Sequence, residues 1–158
     1  MFKNTAAIGA DIGRNVLRIA VVNYGGEVIA LNSYPLADKQ SAGYLIEKAI
    51  DAVRNIRTEV AEAGVNPICV GISAKGFIDQ KAGIIIGPDR GIKGWKNVPL
   101  AKLVSKETGL PVFLGNDASL MTIAEQRFGA AREFSNVVFV ALRSGIGGGI
   151  IINGKLYR

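Results

Sequence analysis

Residues 6–34 read AAIGADIGRNVLRIAVVNYGGEVIALNSY, and three β-rich runs lie within them: Ala6 to Asp11, Leu17 to Asn23 and Glu27 to Tyr34. Gly13 separates the first two, and Asn23-Tyr24-Gly25-Gly26 separates the last two. Short apolar runs broken by glycine turns predict a three-stranded antiparallel meander. From Ser41 the period lengthens. Leu45, Ile46, Ala49, Ile50, Val53, Ile56 and Val60 fall on one helical face, with Glu47, Lys48, Arg54, Arg57 and Glu62 elsewhere. Gly64 is the expected stop, because glycine takes the left-handed conformation at a helix C-terminus without a Cβ clash. A meander followed by a long amphipathic helix sets an α/β lobe in motion.

Further along, Cys69 to Ser73 lacks polar alternation and predicts a buried strand covered on both faces, with Cys69 in the core. Gly76 to Trp95 is glycine-rich around Gly83-Ile84-Ile85-Ile86-Gly87 and predicts a hairpin followed by a loop. Pro99 and Gly109 bracket a short helix with Leu100, Leu103 and Val104 inward. Pro111 to Gly115 is the next strand. Asp117 opens a third helix, with Leu120, Met121, Ala124 and Phe128 at helical spacing. Asn136 to Leu142, the glycine turn Ser144 to Gly149, and Ile150 to Ile152 then lead to Asn153-Gly154, a two-residue hairpin signal with Lys155-Leu156-Tyr157 pairing back. Strand, glycine turn, strand and polar turn thus occur twice, at Ile8 to Val28 and at Val137 to Leu156, with Gly13 and Gly145 in equivalent places. The expected division is one lobe over residues 1–135 and the first hairpin of an incomplete second lobe over 136–158.

Composition narrows the function classes. With 158 residues and 49% hydrophobic content the chain can bury a sizeable core. No apolar stretch reaches the roughly 20 residues needed to span a bilayer, and no export signal is visible, so a cytoplasmic protein is expected. The formal charge is +6, but acidic residues interrupt the basic ones, as at Glu47/Lys48 and Lys106/Glu107. That pattern fits a solvated mixed surface rather than the basic stripe of a nucleic-acid binder. There is one cysteine and no histidine, so any general base is a carboxylate and no multi-cysteine metal site can form.

Five segments in order carry a resemblance: strand-Asp11-Ile12-Gly13, Gly94-Trp95-Lys96-Asn97-Val98-Pro99, Gly109-Leu110-Pro111-Val112-Phe113, Asn116-Asp117-Ala118, and Ser144-Gly145-Ile146-Gly147-Gly148-Gly149. Together they resemble the ROK family of bacterial sugar kinases and sugar-responsive transcriptional repressors. The resemblance implies an actin-like, ribonuclease-H-like lobe with a mixed sheet, in which the antiparallel meander joins parallel strands and helices flank it. It implies that Asp117 accepts the proton of a sugar hydroxyl attacking ATP, and that Asn116 contacts the sugar. The residue types suit that chemistry, since a carboxylate can take a proton and an amide offers both donor and acceptor. The plainer roles are a helix cap for Asp117 and a polar turn residue for Asn116. The resemblance further places Gly76 and Asp89 near the sugar. Asp11, Gly13 and Asn15 fall at the first phosphate turn, and Ser144, Gly145 and Gly147 at the second, with Mg-ATP as the implied cofactor.

Departures from the pattern bear on function. Arg14 and Asn15 stand where kinases of the family usually carry a second glycine and a threonine, and Arg143-Ser144 stands where Gly-Thr is commoner. These large cations argue against ordinary ATP binding. The family's later sugar-binding Glu and His and its zinc cluster have no counterpart here, so no zinc is expected. Repressors carry a helix-turn-helix before the first strand, for which Met1 to Thr5 leaves no room, so direct DNA binding is not expected of this chain. Trp95 reads as a packed aromatic before a sugar-stacking one. Three classes follow: a sugar kinase lobe, a sugar-sensing regulator lobe, and a catalytically inactive remnant or self-associating interaction module without ligand binding. Independent catalysis is not expected of any of them. Self-association is, through the orphan strands Val137 to Leu142 and Gly148 to Ile152.

Overall fold

The expected meander is present in the computed structural model, which describes residues 5–87, 91–142 and 145–157. Strands β1 (Thr5–Ile12), β2 (Val16–Asn23) and β3 (Val28–Pro35) pair antiparallel in chain order. Ala6, Ile8, Ala10 and Ile12 of β1 are buried, while Ala7, Gly9 and Asp11 face the other side. A two-residue strand β4 (Gln40–Ser41) leads into helix α1 (Ala42–Ala61), whose first turn is capped by the Ser41 hydroxyl accepting from the Tyr44 amide at 3.3 Å. At the other end the Val65 amide bonds the Val60 carbonyl and the Gly64 amide bonds the Ala61 carbonyl, with Gly64 left-handed at φ 72°. That pair of bonds satisfies carbonyls the helix would otherwise orphan.

Strand β5 (Asn66–Ala74) runs parallel to β1. The hairpin β6 (Ile78–Asp79) and β7 (Ile84–Ile85) follows, then β8 (Ile92–Lys93), which pairs parallel with β4. Helix α2 (Leu100–Thr108) ends on left-handed Gly109, and β9 (Val112–Asn116) completes a five-stranded mixed sheet in the order β3-β2-β1-β5-β9. One core joins the buried faces of α1 and α2 to the sheet through Leu17, Ile19, Leu45, Ile56, Ile72 and Leu100. Each such side chain contributes about 1.5–3 kcal/mol by leaving water.

The central strand corrects one expectation. Val70, Ile72 and Ala74 of β5 are buried, but Gly71 is exposed, Cys69 is half-buried and Ile68 is 54% exposed. Both helices of this unit pack into the same core, so its sheet is covered on one face and open on the other. Cys69 is therefore not a core residue. Trp95, by contrast, is packed as expected, 1% exposed, with its indole N–H donating to the Lys75 carbonyl at 3.0 Å.

The chain divides into two compact units, Met1–Gly115 and Asn116–Arg158. The second unit contains helix α3 (Asp117–Phe128) and a three-stranded sheet of β10 (Val137–Leu142), β11 (Ile146–Ile152) and β12 (Lys155–Leu156) in that order. The boundary between these compact units lies before α3, which packs on β10 and β11. The turn between β11 and β12 has Asn153 at φ 50° and Gly154 at φ 75°, the positive angles that a two-residue hairpin of this kind requires.

The inward face of α3 also differs from the expected one. Ala118 and Thr122 are buried, whereas Ala124 and Phe128 are exposed and Leu120 and Met121 only half-covered. Gly147 and Gly149 of β11 explain this. A Cβ on Gly147 would lie 3.0 Å from the Ala118 Cβ, and one on Gly149 would lie 2.2 Å from the Thr122 hydroxyl. The helix approaches the strand backbone through Ala118 and Thr122, and the Thr122 hydroxyl is satisfied by donating to the Ala118 carbonyl at 2.7 Å.

Candidate functional site

In the first unit the C-terminal ends of the parallel strands β1 and β5 open at one edge of the sheet, the edge where α/β folds place ligands. The turn joining β1 to β2 sits there. Gly13 donates its amide to the Val16 carbonyl at 3.0 Å, and a Cβ on Gly13 would come within 2.7 Å of that same oxygen. Only glycine fits so tight a closure. The turn is also anchored from behind, because the Asn15 carbonyl accepts from the Leu36 amide at 2.9 Å and the Arg14 carbonyl accepts from the Gln40 side chain. Anchoring the backbone leaves the Arg14 and Asn15 side chains exposed.

Asp11 stands on the open face of the sheet, one residue before the end of β1. Its cross-strand partners are Arg18 on β2 and Ser73 on β5. The Ser73 hydroxyl donates to Asp11 Oδ1 at 2.7 Å, and the Arg18 guanidinium lies 3.8 Å from Oδ2. Neither partner belongs to a motif that the sequence displays. Signals for both exist all the same: a hairpin closed at Gly13 sets Asp11 opposite Arg18, and Ser73 is a polar residue at the end of the apolar run from Ile68. Gly76, two residues beyond β5, belongs to the same edge. It has φ 103°, and a Cβ there would lie 3.3 Å from the Gly87 carbonyl. The Trp95 bond to Lys75 holds the residue just before it.

In the second unit Asn116 and Asp117 open α3. Asn116 Oδ1 accepts from the Ser119 amide at 3.1 Å, and Asp117 Oδ1 accepts from the Ala118 amide at 2.9 Å. Both residues are half-buried. The capping role is therefore real, and it fixes the Asp117 carboxylate by one oxygen. Its second oxygen, Oδ2, has no hydrogen-bond partner among the described residues. Gly145 is exposed, and a Cβ there would meet no atom within 4 Å, whereas Gly147 lies under α3. Of the remaining candidates, Asp89 and Ser144 lie outside the described residues, as do Arg90 and Arg143. Among the described residues no three side chains of the carboxylate and thiol type come together as metal ligands, and no helix is long and apolar enough to cross a membrane.

Comparison with known proteins follows the same lines. The ROK family model matches residues 7–158. The xylose repressor of Bacillus subtilis (strain 168) is 28% identical over 152 residues, which cover 96% of this chain and 38% of that protein. The glucokinase of Streptomyces coelicolor is 32% identical over 152 residues, covering 96% of this chain and 45% of its own length. A crystal structure of a ROK family glucokinase from Streptomyces griseus in complex with glucose and AMPPNP superposes with a TM-score of 0.78 at 34% identity, covering 97% of this chain and 46% of that one. The chain thus spans less than half the length of these relatives.

Proposed function

The chain belongs to the ROK family, and from that premise we propose that it is a sugar-recognising lobe of the kind shared by the family's kinases and repressors. In this reading Asn116 and Asp117 contact the sugar, Gly76 and Asp89 are further candidate sugar-binding residues, and the turn at Asp11, Gly13 and Asn15 and the turn at Ser144, Gly145 and Gly147 are each candidate phosphate sites. The observation that carries it is the Asp117 carboxylate. One oxygen is locked to the first turn of α3 while the other makes no hydrogen bond among the described residues, so a fixed acceptor is available to a hydroxyl donor. In a kinase such an oxygen takes the proton of the attacking hydroxyl. In a sensor the same contact holds the sugar without transfer. Both relatives' names, a glucokinase and a xylose repressor, point to a pentose or hexose.

Calorimetric titration with glucose, xylose and amino sugars tests the reading. Binding of at least one sugar, weakened at least about tenfold by Asp117→Ala in a chain that still folds, is the expected result, since a hydrogen bond to a charged group contributes about 1.5–3 kcal/mol. No heat with any sugar from the folded protein would sink it. Phosphoryl transfer to the bound sugar, followed as consumption of ATP, separates the kinase from the sensor.

A second reading, self-association, is favoured by one face of the second unit's sheet. The cross-strand pairs Val138 with Ile150 and Leu142 with Ile146 lie on the side away from α3, and Val138, Leu142 and Ile146 are 73%, 75% and 84% exposed. A contiguous apolar face of this sort marks an interaction surface, and a second copy of the chain is the occupant proposed.

A further inference from the structure

We infer that the Gly13 turn binds its phosphate ligand without a divalent cation, because Ser73 and Arg18 already hold the carboxylate that leads into it. The inference rests on the reading of that turn as a phosphate site and concerns how the charge of the phosphate is met. Register places Ser33, Arg18, Asp11 and Ser73 in one row across β3, β2, β1 and β5. Directly opposed residues share a face, so this is a polar row on the open side of the sheet. Within it the Ser73 hydroxyl donates to Asp11 Oδ1, and the Arg18 guanidinium stands 3.8 Å from Oδ2 as a partly exposed ion pair.

A magnesium ion bound by protein usually rests on one or two carboxylates plus substrate phosphates. At this turn Asp11 would have to supply that contact with a guanidinium at its side. Two positive charges on the metal and one on Arg18, about 5 Å apart, repel even in water by enough to weaken metal binding on the order of tenfold. The same arginine favours an anion. Arg14, exposed on the turn itself, adds a second cation beside the site. Guanidinium groups recognise phosphate oxygens through paired N–H donors and need no metal to do so. Ser73 acts through Asp11 and is a positioning residue. By fixing Oδ1 it keeps Oδ2 toward Arg18, and so sets where the guanidinium stands. The ligand class is a phosphate monoester or polyphosphate in its metal-free form, either a sugar phosphate or a nucleotide.

The test is titration of the full chain with pyrophosphate, ATP and glucose 6-phosphate, each in EDTA and in excess magnesium. Manganese alone is titrated in parallel, with free ion read by electron paramagnetic resonance. The expected result is phosphate binding in EDTA that magnesium leaves unchanged or weakens, with negligible manganese uptake. Which ligand binds distinguishes a nucleotide from a sugar phosphate. Arg18→Gln is expected to weaken metal-free binding at least fivefold and to raise manganese affinity about tenfold. Ser73→Ala is expected to shift the ratio of metal-free to metal-bound affinity in the same direction while the melting temperature stays close to wild type. Binding that requires magnesium and disappears in EDTA would overturn the inference and leave the phosphate site standing. No phosphate binding under either condition would remove the site and the inference together.

Discussion

At the scale of single residues, the sequence marks the positions that backbone geometry demands more readily than those that a neighbour demands. Gly13, Gly64, Gly109 and Gly154 are legible because turns and helix ends have local rules, and each sits where its rule places it. Asp11 is legible as an acid beside a glycine turn. Arg18 carries a weaker signal, through the hairpin that sets it opposite Asp11, and Ser73 the weakest, since its contact with Asp11 depends on the pairing of strands 62 residues apart. Gly13 gives a test at this scale. Its substitution by alanine drives a methyl to 2.7 Å from the Val16 carbonyl, and the turn is pinned by its other bonds and cannot easily yield. Gly13→Ala should cost about 1–3 kcal/mol of stability, read as a lower urea midpoint with an unchanged m-value. A midpoint within error of wild type would show that the hairpin relaxes where the packing says it does not.

At the scale of elements, α1 is readable because its apolar stripe and its glycine stop agree, and the structure adds the Ser41 cap that fixes its start. Periodicity places helix α3 correctly but turns it the wrong way. It weights large side chains, and the contact that decides this helix is made by Ala118 and Thr122 against two glycines. In the sequence these glycines continue the run that begins at Gly145, and the packing shows a structural demand at Gly149 that Gly145 lacks. A methyl on Gly149 would lie 2.2 Å from the Thr122 Oγ1 and 2.9 Å from its Cβ, whereas one on Gly145 would meet nothing within 4 Å. Gly149→Ala is therefore expected to destabilise the second unit by about 3 kcal/mol, and adding Thr122→Ala should recover part of that loss because the two positions are in contact. Gly145→Ala should leave the melting curve unchanged. A loss of ligand binding in Gly145→Ala alone would then report a ligand contact, while equal destabilisation by both substitutions would contradict the division between packing glycine and turn glycine.

At the scale of the whole molecule, local sequence states that sheets form but not how much of each sheet is covered. The run Cys69 to Ser73 reads as buried on both faces because it contains no charge. In the structure Gly71 and Ser73 lie on an open face, and small or weakly polar residues tolerate either outcome. The strand β10 presents the converse case. Its Val-Val-Phe-Val-Ala-Leu run alternates in burial, with Val138, Val140 and Leu142 outward, so half of a fully apolar strand meets solvent. Apolar area left in water favours association at about 25 cal/mol per Å² before the entropy of bringing two chains together is subtracted. A second copy stacking on this face would bury all three side chains along with Ile146. Light scattering after size exclusion should then give a mass that rises from monomer to dimer with concentration. Val140→Lys places an ammonium in the middle of the contact without touching α3, and desolvating it should weaken dimerisation at least about tenfold while the far-ultraviolet circular dichroism stays the same. A substituted chain that associates as tightly as the native one would move the contact elsewhere, and a native chain that stays monomeric at high concentration would leave the apolar face without its proposed partner.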